Sequence, residues 1–258
     1  MSNRRNLLLA VALLGLAYMA VGGLPGLFPT ALDFETHPTL PDFRTVARGD
    51  VSSSGFNPLI GIEGPREAPA GFDQTLQDVR SDPCRALYGD LARQEAVLPI
   101  ASFSDYYCPF CRVQTVKLGR MESELKGRIK LVWHELPLLG ETSQLAARAA
   151  LAAKRQGAYV RFHEHLMQSN FVATDAYLTD LSDKLGIDPS KLLADMNSAE
   201  VEAELHRSAA LAQLFRFIGT PSLVVGRTVV EGTISDRDLA TLIEDELNRL
   251  KPGWCAPG

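Results

Sequence analysis

The sequence predicts a single α/β domain preceded by an export segment. Three observations predict the fold class. Apolar, β-branched runs at 96–103, 128–136 and 222–230 read as strands, and helical periods come after each of them. A long helical stretch, about residues 142–217, separates the second run from the third. Finally, two cysteines three apart, Cys108 and Cys111, stand where the first strand turns into a helix.

Taken in order, Ala96–Phe103 reads as a short buried strand, and the helix after it carries Val113, Val116, Leu118, Met121 and Leu125. Cys108 falls at the N-cap and Pro109 at the first helical position, where a missing N–H costs nothing and a fixed φ suits the helix. Arg128–Leu136 alternates as a second strand. Thr142–Gln156 is alanine-rich and closes at Gly157, and helical periods continue over Ala158–Ser169, Asp175–Leu185 and Ser198–Phe217. Ser222–Val225 and Thr228–Val230 make a hairpin around Gly226-Arg227, since glycine tolerates the positive φ such turns require. Ser235 with Asp238 three residues on is a capping signature, and Leu239, Leu242, Ile243, Leu247 and Leu250 form the apolar face of a last helix.

Arg4 and Arg5 precede an uncharged stretch, Asn6–Leu32, which reads as a signal peptide or a membrane anchor over residues 1–32. The core Leu7–Val21 with Gly22 and Gly23 after it favours a cleaved signal, and the total apolar length favours an anchor. Both place the folded domain outside the cytoplasm, tethered to the inner membrane where the segment is retained. Residues 33–75, rich in Pro, Gly, Ser and Asp, read as an irregular tether, leaving 76–258 as the catalytic domain. A net charge of −5, with no basic stretch interleaved with aromatics, excludes nucleic acid as a partner class.

A Cys-x-x-Cys at a helix N-terminus makes a reversible disulfide. The unsatisfied N–H groups of the first turn and the helix dipole lower the pKa of Cys108, which makes it the nucleophile; Cys111, one turn in, resolves the mixed disulfide. Zinc would have to recruit Cys84 and Cys255 from far away, and covalent haem needs a histidine where Arg112 stands. No metal and no cofactor is expected. A permanently closed Cys108–Cys111 bridge is the remaining bland reading.

Phe217-Ile218-Gly219-Thr220-Pro221-Ser222 runs through a proline into a strand. With Cys-Pro-Phe-Cys upstream, this resembles the thioredoxin fold, and the resemblance implies a cis Thr220–Pro221 peptide beside the cysteines and pairing of Thr220 with the substrate chain. The helical stretch between the two halves makes the chain similar to the DsbA family of periplasmic disulfide oxidoreductases, over roughly residues 95–250. That resemblance implies a thioredoxin-like fold with an inserted helical subdomain, secreted cysteine-containing polypeptides as substrates, and a quinone-coupled membrane redox partner. The chain departs from the family's oxidases in three places. Phe110 of the Pro109-Phe110 dipeptide replaces a histidine, Ser102 replaces a buried glutamate, and Thr220 is commoner in the isomerase and reductase branches. The expected function is a dithiol oxidase; the alternatives are an isomerase or reductase kept reduced by a membrane carrier, and a Cu(I)-binding thiol module.

Cys84 and Cys255 lie near the two ends of the folded region, as a structural bridge, a second redox pair, or free thiols. His163 and His165 flank Glu164 on what reads as a solvated helix face. His134 reads as a packing or surface residue, and Tyr106 and Tyr107 as packing residues or part of a peptide-binding rim.

Overall fold

Residues 32–46, 71–94 and 96–255 are described by the computed structural model. The first strands come early. Phe34–Thr36 (β1) and Arg44–Val46 (β2) lie in the segment read from sequence as an irregular tether, and neither is long enough to show a period. They form because the rest of the chain supplies partners. β2 runs parallel to the late strand β6, Thr228–Glu231, pairing Arg44 with Thr228, and β1 adds antiparallel to β2. Arg44 donates through Nη2 to Glu246 at 2.6 Å and also pairs with Asp245, while Phe43 packs edge-on to Phe215 at 5.0 Å.

Among the described residues, two α-helices precede the first long strand: α1, Phe72–Ser81, and α2, Pro83–Tyr88. Helix α2 carries its own start signal, with Pro83 in its first turn and the Asp82 carboxylate accepting from the Arg85 N–H at 2.9 Å. Next come β3, Leu98–Ser104, then α3, Pro109–Glu124, and β4, Ile129–Glu135. Strand β3 is buried at every position, as expected for a central strand with both faces covered.

Five helices stand between β4 and the next strand. They are α4 (Glu141–Lys154), α5 (Tyr159–Gln168), α6 (Asp175–Leu185), α7 (Pro189–Asp195) and α8 (Ala199–Leu214). Small side chains let them approach closely: Ala146, Ala149, Ala150, Ala152 and Ala153 of α4 are all buried. Strand β5, Ser222–Val225, turns into β6 through Gly226-Arg227, and α9, Asp236–Arg249, closes the unit with Ser235 as its N-cap. Gly226 has φ 56°, and a Cβ there would collide with the Glu246 carboxylate, so both conformation and space demand glycine.

The sheet order is β1-β2-β6-β5-β3-β4, with β4 parallel and β5 antiparallel to β3. One core packs α1, α2 and α8 on the face bearing Ala101, Phe103, Val224 and Val229. A second joins Tyr106, Cys108 and Cys111 to Phe162, Leu166 and the alanines of α4, so the inserted helices share a core with the cysteine pair. Among the described residues no helix is long and apolar enough to cross a membrane. Of the expected signal or anchor, residues 1–31 lie outside the described residues.

Candidate active site

The site is built where β3 ends and α3 begins. Asp105, 1% exposed, organises the connection: its carboxylate accepts from the N–H groups of Tyr107, Leu138 and Leu139 and from the Ser143 hydroxyl, at 2.7–3.0 Å. Four donors on one buried carboxylate tie this turn to the loop after β4 and to α4. The turn then delivers Cys108 to the N-cap of α3 in extended backbone, with its N–H on the Asp105 carbonyl.

Cys108 and Cys111 are both free thiols, 4% and 0% exposed. The Cys108 Sγ accepts from the Cys111 N–H and faces the Thr220 carbonyl, each at 3.4 Å. The Thr220–Pro221 peptide is cis. The structure thus gathers Cys108, Pro109, Cys111, Thr220 and Pro221 at one point, with Phe110 42% exposed beside them. Cys84 and Cys255 are not part of this cluster. They form a disulfide with Cα atoms 5.7 Å apart, packed with α1, α2 and α8.

The Cys108 thiol is lowered from 9.0 to about 6. The hydrogen bond from the Cys111 thiol contributes most, burial opposes it, and the Cys111 N–H, Thr220 and the Phe110 N–H add to it. Cys111 moves the other way, well above its ordinary value, chiefly because burial penalises a thiolate there. Because the Cys108 shift is downward, the reactive form is present above about pH 6 and lost below it. Alkylation of the reduced protein should therefore rise about tenfold between pH 5 and 7 and then plateau. A midpoint near the ordinary thiol value would contradict this.

One residue departs from its sequence reading. His163 is fully buried, not on a solvated face: α5 turns it inward, stacked within 5.4 Å of Tyr159, while Glu164 and His165 are exposed. The apolar flanks Phe162, Leu166 and Met167 carry it into the core. His134 takes the packing role, stacked on Phe103 with Nε2 2.9 Å from the Leu87 carbonyl, and burial lowers its pKa to about 4. Tyr106 is buried and donates to Glu135 Oε1 at 2.7 Å; Tyr107 is half-buried and its hydroxyl accepts from the Ala173 N–H. Asp105 and Glu135 had no signal of their own, since a lone acid at a strand end reads as a solvated terminus. The exposed apolar side chains include Phe110 and Val113 on α3, Leu138 and Leu139 in the loop after β4, and Ile218 two residues before Thr220.

The family model of the DSBA-like thioredoxin domain matches residues 99–244. A probable disulfide bond formation protein D of Bacillus anthracis is 27% identical over 174 residues, 62% of this chain and 78% of that protein. The crystal structure of a thioredoxin-like oxidoreductase from Silicibacter pomeroyi superposes with a TM-score of 0.58 at 34% identity, covering 65% of this chain and 98% of the other. The catalytic domain of Proteus mirabilis ScsC gives a TM-score of 0.56 at 25% identity, covering 68% of this chain and 98% of the other. The cysteine geometry, the fold and these matches agree: the chain belongs to the DSBA-like thioredoxin domain family and is an oxidoreductase of the thiol–disulfide class.

Proposed function

We propose that this chain is a dithiol oxidase that introduces disulfides into cysteine-containing polypeptides outside the cytoplasm. One observation carries it: the Cys108 sulfur sits at a helix N-cap, facing the Thr220 carbonyl, with its thiolate stabilised to a pKa of about 6. A substrate thiolate attacks Cys108 Sγ of the closed Cys108–Cys111 disulfide, and Cys111 leaves and takes up a proton. A second substrate thiolate then attacks the substrate sulfur of the mixed disulfide, and Cys108 departs as a stabilised thiolate. The substrate loses two electrons to the pair. Thr220 and Pro221 hold the incoming chain, and the exposed Phe110 between the two cysteines suits an unfolded apolar segment. A quinone-coupled membrane partner reoxidises the pair, by analogy with the family. Relatives named for disulfide bond formation support the direction.

The isomerase or reductase reading has one observation in its favour. A pKa of about 6 stabilises the reduced form at pH 7 by about 20 mV relative to a thiol of pKa 7, a mild push toward oxidising power. The test is equilibration of the chain in glutathione buffers, with acid quenching, alkylation and a mass count of free thiols. A potential of about −120 to −160 mV supports the oxidase, and one near −250 mV overturns it in favour of a reductase. Stoichiometric Cu(I) retention with no disulfide exchange would replace both.

A further inference from the structure

Tyr107 and Arg112 flank the Cys-Pro-Phe-Cys run, one on each side, and both side chains reach the same segment, residues 169–173 between α5 and α6. The Tyr107 hydroxyl accepts from the Ala173 N–H at 2.8 Å, and its ring lies 5.3 Å from that of Phe171. Arg112 bridges the turn and the segment. Its Nε donates to the Tyr106 carbonyl at 3.2 Å, and its Nη1 donates to the Ser169 carbonyl and, at 3.4 Å, to Asn170 Oδ1. The guanidinium also stands 5.9 Å from the centre of the Phe171 ring. Ser169 is the C-cap of α5, where the negative end of the helix dipole favours a cation.

The segment is extended at both ends, with Ser169 at φ −104°, ψ 148° and Thr174 at φ −139°, ψ 155°. Arg112 pins its first carbonyl and Tyr107 its last N–H. Between these ties, Asn170, Phe171 and Val172 make no backbone–backbone hydrogen bond among the described residues. Val172 presents an apolar side chain that is 65% exposed. Ala173 belongs to the same core as Cys108 and Cys111, and Phe171 packs against that core, so the segment borders the redox pair. It stands one tyrosine side chain away from the backbone beside Cys108. An extended run with open main-chain groups is the kind of edge on which an extended polypeptide lies.

We propose that residues 169–173 form a second wall of the exchange site, selecting an extended polypeptide with an apolar side chain beside its cysteine, and that Tyr107 and Arg112 are the positioning residues that hold this wall. It rests on the reading that Cys108 and Cys111 oxidise a polypeptide. The occupant is the substrate chain because the wall is tied to both flanks of the pair, and the substrate sulfur has to come to Cys108. In the mixed disulfide Thr220 takes the chain at the sulfur, and Val172 meets a side chain next to the bound cysteine. Arg112 serves through its shape as much as its charge. A lysine there would keep the charge but has no fork to span the Tyr106 and Ser169 carbonyls.

The test is oxidation kinetics with the full chain in its disulfide form and three reduced probes: a two-cysteine peptide with leucine flanking each cysteine, the same peptide with serine there, and dithiothreitol, which carries no side chain. Wild type should favour the leucine peptide in kcat/KM. In Val172→Ser and Arg112→Lys that preference should fall at least about threefold, through KM, while dithiothreitol oxidation stays within about twofold of wild type. Tyr107→Phe, which removes only the hydroxyl on Ala173, should act in the same direction. Val172 is exposed, so its variant decides the matter where another fails to fold. A wild type without the leucine preference, an unchanged preference in Val172→Ser, or peptide and dithiothreitol rates that fall together in the variants overturns the proposal. A wild-type chain that oxidises none of the three probes overturns the oxidase reading instead.

Discussion

Cys108→Ser should lose thiol–disulfide exchange by at least ~10³-fold, because a serine hydroxyl stays protonated where the thiol ionises at about 6. Cys111→Ser should behave differently. Cys108 retains the N–H groups of the first turn and the Thr220 contact, so the variant still attacks a disulfide but loses the internal thiol that displaces the bound chain. Mixed disulfides should accumulate, visible as a mass increase removed by reductant. The pair of variants thus separates attack from resolution. Equal activities, or trapping by Cys108→Ser in place of Cys111→Ser, would reverse the assigned roles.

The second large effect concerns stability. The Cys84–Cys255 bridge spans 171 positions, and in the chain-entropy model closing a loop of that length stabilises the fold by about 5 kcal/mol. The double variant Cys84→Ser/Cys255→Ser should therefore melt roughly 10–20 °C lower, by calorimetry without reductant. Its exchange rate per folded molecule should stay close to wild type. A large loss of exchange with an unmoved melting temperature would mark the bridge as a second redox pair.

Much of the fold is legible because local signals agree with one another. The strand, the N-cap cysteine, Pro109 and the apolar face of the helix after it each argue for the same strand-to-helix turn, and there the sequence and the structure coincide. The hairpin at Gly226 is legible for the same reason: one residue both permits the turn and fits beside Glu246. Strands β1 and β2 are not legible, since three residues show no alternation and their partner β6 lies almost two hundred positions away. The buried acid of the site is hidden by a different cause. Glu135 ends an alternating strand, where exposure is the ordinary expectation, and its burial is decided by Tyr106, Tyr159 and His163 arriving from distant segments. The burial of His163 is hidden for a related reason. Its charged neighbour Glu164 suggests solvent, and only the turn of α5 onto the cysteine core brings it inside.

The bridge between Cys84 and Cys255 also makes the chain from one to the other a covalent ring, with Cys108, Cys111, Thr220 and Pro221 all inside its circumference. Tension entering from the N-terminal side of Cys84 and leaving beyond Cys255 passes through the sulfurs and bypasses the exchange site. A single nick by a protease anywhere on the circumference opens the ring yet releases no fragment.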